Sequence, residues 1–279
     1  MGQITDDHFP EQPELPRFRL IRKLSETRMS VVYLATEEAG GGRLVAVKVV
    51  TPRLATEDGF RDRFRQEMAP ELGHANIVPV YSVHTEGEPL YLVMPYVDGP
   101  NLRDLLRSGP LDPVRTVHLA HSVASALDHA HTAGVVHRDV KPSNILVDRR
   151  TGQVLLCDFG IAAAGRRVGT PGYVAPELIP IDKAAPVDPR ADVYSLGVVL
   201  YECLTGRPPH EHTDAAELLW AQLHEDPLAV TALRPDLPST LNKVLATALA
   251  KRPRHRYGTC GALAEELANA LAGGPVRRR

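Results

Sequence analysis

The apolar residues of this chain change their period once, at Pro95-Tyr96-Val97-Asp98-Gly99, and that change limits the folds open to it. Before the join, RFRLIRKL (17–24), VVYLAT (31–36) and RLVAVKVV (43–50) have the alternating or continuous apolar character of strands bounded by turn residues. Gly40-Gly41-Gly42 predicts a hairpin connection between the second and third runs. A charged stretch around Glu57–Glu71 predicts one helix, and short strands are expected near Val80–Val83 and Leu90–Met94. After Gly99, apolar residues recur at i, i+3, i+4 and i+7 over 113–133, 190–206, 213–224, 239–251 and 260–272, which predicts helices. A strand-rich portion feeding a helix-rich portion reads as α+β with two lobes. The join reads as a hinge, and a cleft beside a hinge is a favoured place for a ligand.

The expected organisation is a polar leader over 1–16, a small β-rich lobe with one main helix over 17–94, and the hinge over 95–99. A larger helical lobe follows over 100–272, then a basic tail over 273–279. A formal net charge of −2 gives no global attraction to nucleic acid or to an anionic membrane. Cys157, Cys203 and Cys260 are far apart and form no CxxC, which suits a reducing cytoplasm and argues against a disulfide framework or a zinc site. No stretch approaches a membrane span, and the leader MGQITDDHFPEQPELP lacks the apolar core of a signal peptide. Met1-Gly2 is not followed by the Ser or Thr of a myristoylation motif, since Asp6 stands there. A cytoplasmic protein with no membrane span and no nucleic-acid partner is expected.

Chemistry concentrates in His137-Arg138-Asp139-Val140-Lys141-Pro142-Ser143-Asn144 and Asp158-Phe159-Gly160. With VAVK (45–48), GTPGYVAPE (169–177) and DVYSLG (192–197), these stretches resemble the protein kinase family, bacterial Ser/Thr kinases of eukaryotic type in particular. The motifs stand in family order, and the resemblance extends from about Phe18 to Leu271. It implies the two-lobed kinase-like fold and transfer of the γ-phosphoryl group of ATP to Ser or Thr hydroxyls of a protein substrate, with Mg²⁺. Phosphoryl transfer gathers negative charge on the γ-phosphate oxygens, so catalysis is mostly positioning and neutralisation.

On that resemblance Asp139 takes or orients the hydroxyl proton, and Lys141 sits against the γ-phosphate. Asn144 and Asp158 supply the hard oxygen ligands that Mg²⁺ prefers. Lys48 holds the α- and β-phosphates, and Glu67 pairs with it. Leu24, Val32, Ala46, Met94, Tyr96, Val97 and Leu146 are the further ATP-binding positions. Thr170 is expected to order Asp139 and Lys141, Glu177 to pair with Arg256, and Asp192 to brace the catalytic loop. His137 is expected to pack and hydrogen-bond rather than act as a base. His118, His121, His129 and His131 lack carboxylate support for a metal.

Three departures stand out. Ser25, Thr27 and Ser30 occupy the places of the three glycines that let backbone N–H groups approach phosphate. Pro70 follows Glu67 closely, and proline ends or kinks a helix. The segment IAAAGRRV (161–168) has no Ser, Thr or Tyr to take a phosphate that would pair with Arg138. Either that segment is ordered by packing alone, or activity is set from outside this chain, by a regulatory protein. The first two departures motivate the competing reading, a pseudokinase that binds a nucleotide or partner without catalysis.

Overall fold

The computed structural model describes residues 13–27, 29–38, 41–57, 59–67, 72–159, 169–179 and 187–273. The chain forms two compact units, Met1–Ala69 with Pro79–Val97, and Pro70–Val78 with Asp98–Arg279.

The first unit is built on β1 (Phe18–Glu26), β2 (Ser30–Glu37) and β3 (Arg43–Val50), followed by the helices α1 (Pro52–Ala55) and α2 (Phe60–Glu67). The strands β4 (Ser82–His84) and β5 (Tyr91–Pro95) complete an antiparallel sheet in the order β1-β2-β3-β5-β4. β4 begins later than the apolar run suggested, although the Tyr81 amide already donates to the Val93 carbonyl at 2.7 Å. The turn after β2 passes through Gly41 and Gly42 at φ 67° and 82°, a region that favours glycine. α2 begins at Phe60, three residues into the charged stretch; the side chain of Glu67 and all of Pro70 lie outside the described residues.

Alternation along the strands separates two faces. Val31, Tyr33, Val45, Val47, Val49, Tyr91 and Val93 gather with Phe18 and Leu15 into one apolar cluster. The register pairs Val32 with Lys48, Lys48 with Leu92 and Ala46 with Met94. Residues two apart share a face of a strand, so Val32, Ala46, Lys48 and Met94 lie together on the other face. Every residue from Val45 to Val50 is buried, which explains why this run is apolar almost throughout.

In the second unit, α3 (Leu102–Leu106) and α4 (Pro113–Thr132) precede the two-stranded sheet of β6 (Ile145–Val147) and β7 (Val154–Leu156). Then come α5 (Arg190–Thr205), α6 (Ala215–His224), α7 (Val230–Leu233), α8 (Thr240–Ala248) and α9 (Cys260–Leu271). α4 begins where the sequence signals it. Asp112 accepts the amides of Val114 and Arg115 at 2.8 and 3.4 Å, and Pro113 supplies a preset φ where no amide is needed. α6 is capped in the same way by Asp214, and α9 by Thr259.

α5 is buried on every side from Ala191 to Tyr201, as a helix at the centre of a core must be. It ends at Gly206 in the left-handed region, whose amide closes the last turn on Glu202 O at 2.8 Å. Residues 72–78 join this unit through backbone bonds from Val78 to Leu156 and from Leu156 to Asn76, at 2.9 and 2.8 Å. None of the described helices is long and apolar enough to cross a membrane.

Candidate active site

The β6–β7 hairpin sets the geometry of the most polar part of the second unit. Ile145 pairs with Leu156, so Asn144 at the start of β6 lies beside Cys157 at the end of β7. The Cys157 amide donates to Asn144 O at 3.0 Å, and Asp158 follows with φ 71°. A left-handed residue other than glycine is costly, by about 1–3 kcal/mol, and persists only where its surroundings fix it.

Arg138 also has a positive φ, 67°. Its amide donates to Asp192 Oδ1, and the neighbouring His137 amide donates to Asp192 Oδ2, both at 2.8 Å. Asp192 is fully buried near the start of α5, and its Oδ2 also meets His131 Nε2 at 2.8 Å. A buried carboxylate with these donors is satisfied where it stands, and it braces the loop as expected.

His137 is buried, with its ring against Phe159 at 4.6 Å. Its Nδ1 accepts the Asp139 amide at 3.2 Å, which leaves Nε2 to donate to Cys157 O at 2.9 Å. Both ring nitrogens are thus engaged in positioning, and neither is open for proton transfer.

Around Asp139 the bonds close into a triad. Thr170 Oγ1 donates to Asp139 Oδ1 at 2.7 Å, while Lys141 Nζ donates to Asp139 Oδ2 at 2.6 Å and to Thr170 Oγ1 at 2.8 Å. Asn144 Nδ2 donates to the Asp139 carbonyl at 2.9 Å, which turns its amide oxygen the other way. The side chains of Asp139 and Lys141 are 19% and 17% exposed, open enough to meet a substrate and dry enough to strengthen their attraction.

The donor set fits a magnesium ion. Asn144 and Asp158 offer an amide oxygen and a carboxylate, both hard oxygen ligands, from positions brought close by the hairpin register.

The Protein kinase domain family matches residues 18–268 of this sequence. This chain belongs to the protein kinase family. Members of that family use ATP and Mg²⁺. The serine/threonine-protein kinase PknB of Mycobacterium tuberculosis is 39% identical over 277 residues, covering 93% of this chain and 44% of its own length. A probable serine/threonine-protein kinase of Streptomyces coelicolor, SCO3848, is 37% identical, with 93% and 41% covered. The chain therefore spans less than half the length of these relatives. Among solved structures, the Mycobacterium tuberculosis PknI kinase domain superposes with a TM-score of 0.75 at 32% identity, covering 92% of this chain and 98% of that one. The fold is that of a protein kinase, with a five-stranded sheet in the N-lobe and a helical C-lobe.

The kinase scaffold outside the triad carries a buried ion pair. Arg256, fully buried, holds both oxygens of Glu177 at 2.6 and 2.7 Å and donates to the carbonyls of Ala250, Arg190 and Lys251. Two residues went unread in the sequence. Gln222 on α6, buried, accepts the Gly172 amide at 2.9 Å and donates to Val174 O at 3.0 Å. Ser195 on α5 donates to Tyr173 O at 2.8 Å. The only sequence signal for Gln222 is a lone amide within the apolar run LLWAQLH.

Tyr173 donates to Glu202 at 2.6 Å; burial pushes the Glu202 carboxyl above its usual range, and burial pushes the Tyr173 phenol up as well. His131, expected to lack carboxylate support, has it from Asp192 and Asp128, and Asp128, His131 and Cys260 bring ligand atoms within 4.8 Å of one another. Asp128 there accepts the Cys260 and Gly261 amides at 2.9 and 2.8 Å, so the carboxylate closes the N-terminus of α9.

The remaining expected positions divide between the units. Lys48, Val32, Ala46 and Met94 share the sheet face described above, and Leu24 precedes the β1–β2 turn. Tyr96 and Val97 follow β5, and Leu146 lies in β6 of the second unit. Gly160, Arg166 and Arg167 lie outside the described residues.

Proposed function

We propose that this chain is a catalytically active Ser/Thr protein kinase domain that transfers the γ-phosphoryl group of ATP to protein hydroxyls. The observation that carries the reading is the Lys141–Asp139–Thr170 triad. A carboxylate held at one oxygen by a hydroxyl and at the other by an ammonium is aimed to accept the substrate hydroxyl's proton. Lys141 beside it neutralises charge that develops on the transferred group.

Asn144 and Asp158 would hold Mg²⁺, which neutralises phosphate charge when bound. Lys48 would hold the α- and β-phosphates with Glu67 as its partner. Leu24, Val32, Ala46, Met94, Tyr96, Val97 and Leu146 would enclose the rest of the nucleotide. In this reading 17–94 and 100–272 are the two lobes, 95–99 the hinge, 1–16 a leader and 273–279 a tail.

The partners are a protein substrate with a Ser or Thr acceptor and, for lack of a hydroxyl in 161–168, a regulatory protein that sets activity. Three buried cysteines, none of them in a disulfide, support a cytoplasmic location. The alternative, a pseudokinase scaffold, is favoured by the β1–β2 turn without glycine and by Pro70 close behind Glu67.

Transfer of ³²P from [γ-³²P]ATP to a generic protein acceptor decides between them. The unsubstituted chain is expected to label the acceptor, and Asp139→Asn to lower the rate by about 10²–10⁴-fold. Equal labelling by both, or none by either in folded protein, would sink the catalytic reading.

A further inference from the structure

The turn between β1 and β2 closes on itself. Thr27 Oγ1 accepts the amide of Met29 at 3.2 Å and that of Ser30 at 3.1 Å. The Thr27 amide donates to Ser30 O at 2.9 Å, and the hydroxyl lies 3.1 Å from the same carbonyl. Two successive amides converging on one oxygen make the kind of concavity that receives an anionic oxygen. A neutral hydroxyl of the chain itself fills it here. Ser30 is buried, whereas Thr27 is exposed, so the acceptor sits on the open side of its donors.

We infer that Thr27 is a positioning residue that competes with nucleotide phosphate for the amides of Met29 and Ser30. The inference rests on the kinase reading above, in which this turn meets the phosphates of ATP. Phosphate oxygens must displace the hydroxyl before these amides can serve them. The phosphates then add less to affinity than they would at a turn with open amides, and the dissociation constants of ATP and adenosine lie closer together. Thr27 sets that ratio without touching the adenosine moiety.

Calorimetric titration with ATP plus Mg²⁺, and separately with adenosine, tests this on the unsubstituted chain, Thr27→Ser and Thr27→Val. Valine keeps the shape and removes the acceptor, whereas serine keeps the acceptor. Thr27→Val is expected to bind ATP about fivefold more tightly, the factor that matches one net hydrogen bond of about 1 kcal/mol. Adenosine binding is expected to stay unchanged, and Thr27→Ser to match the unsubstituted chain in both. Amide exchange at Met29 and Ser30 should be faster in Thr27→Val and slow again when ATP binds. Thr27→Ala provides the same two readings in a second variant if valine disturbs the strand ends.

An ATP constant unmoved or weakened by Thr27→Val, with adenosine still bound, overturns this inference and leaves the kinase reading standing. A parallel shift for ATP and adenosine also overturns it, because the substitution would then act on the turn as a whole. Failure of the unsubstituted chain to bind either ligand overturns both.

Discussion

The segment 137–144 and the β1–β2 turn are held in opposite ways. In the first, the main bonds reach far along the chain: His137 and Arg138 to Asp192, His137 to Cys157, Asp139 and Lys141 to Thr170. In the turn, the bonds of Thr27 reach no further than Ser30. A loop fixed by distant partners keeps its residue types, because each change strands a polar group elsewhere. A turn fixed by its own side chain can lose glycine and remain a turn, since a hydroxyl supplies the closure that a permissive backbone would otherwise supply. The first region matches the family motif, and the second has hydroxyl residues where the motif has glycines.

The contrast predicts that removing a distant partner harms much more than a change in the turn. The largest expected effect on turnover is at Thr170. Thr170→Ala removes hydrogen bonds to both charged members of the triad and should lower kcat by about 10- to 100-fold. Thr170→Ser should restore most of it, and steady-state kinetics on one acceptor would check both. If Thr170→Ala turned over normally, distant closure would not be what organises Asp139.

Next comes the scaffold. Glu177→Gln leaves the Arg256 guanidinium buried without its carboxylate, and should lower stability by about 3 kcal/mol in urea titration. A midpoint unchanged at the same m-value would mean that the surrounding carbonyls suffice for the cation.

The smallest effect is expected at Glu202, whose carboxyl is raised by burial. A group with a raised pKa favours the folded state when protonated, so its contribution is full below the unfolded value of about 4.3 and is lost as pH rises through the folded value. Glu202→Gln should therefore raise the urea midpoint slightly at pH 7, and the gain should vanish by about pH 4. A difference independent of pH would trace the effect to the Tyr173 bond rather than to ionisation.

Much of this arrangement was legible in the sequence. The long helices announce themselves by period and cap, as Asp112-Pro113 and Asp214 do for α4 and α6. Alternation in RLVAVKVV places Lys48 on the same face as Ala46. What escaped reading is short or non-local. α3 and α7 span five and four residues, too few to display a helical period. The three-residue strands β6 and β7 are defined by their pairing with each other, and 72–78 by its bonds to Leu156. Gln222 owes its role to burial against Gly172 and Val174, which no local pattern encodes. The loss of glycine from the turn was visible in the sequence, but which hydroxyl would close it was not.

The three buried cysteines of the helical unit also make it a set of clocks. Cys157 follows β7 and precedes Asp158, Cys203 lies in α5, and Cys260 opens α9; all are buried, and burial pushes the Cys203 and Cys260 thiols up. A buried, protonated thiol reacts with an alkylating reagent only while its surroundings are open. The order in which the three are modified therefore times the opening of hairpin, central helix and C-terminal helix separately, with no probe introduced.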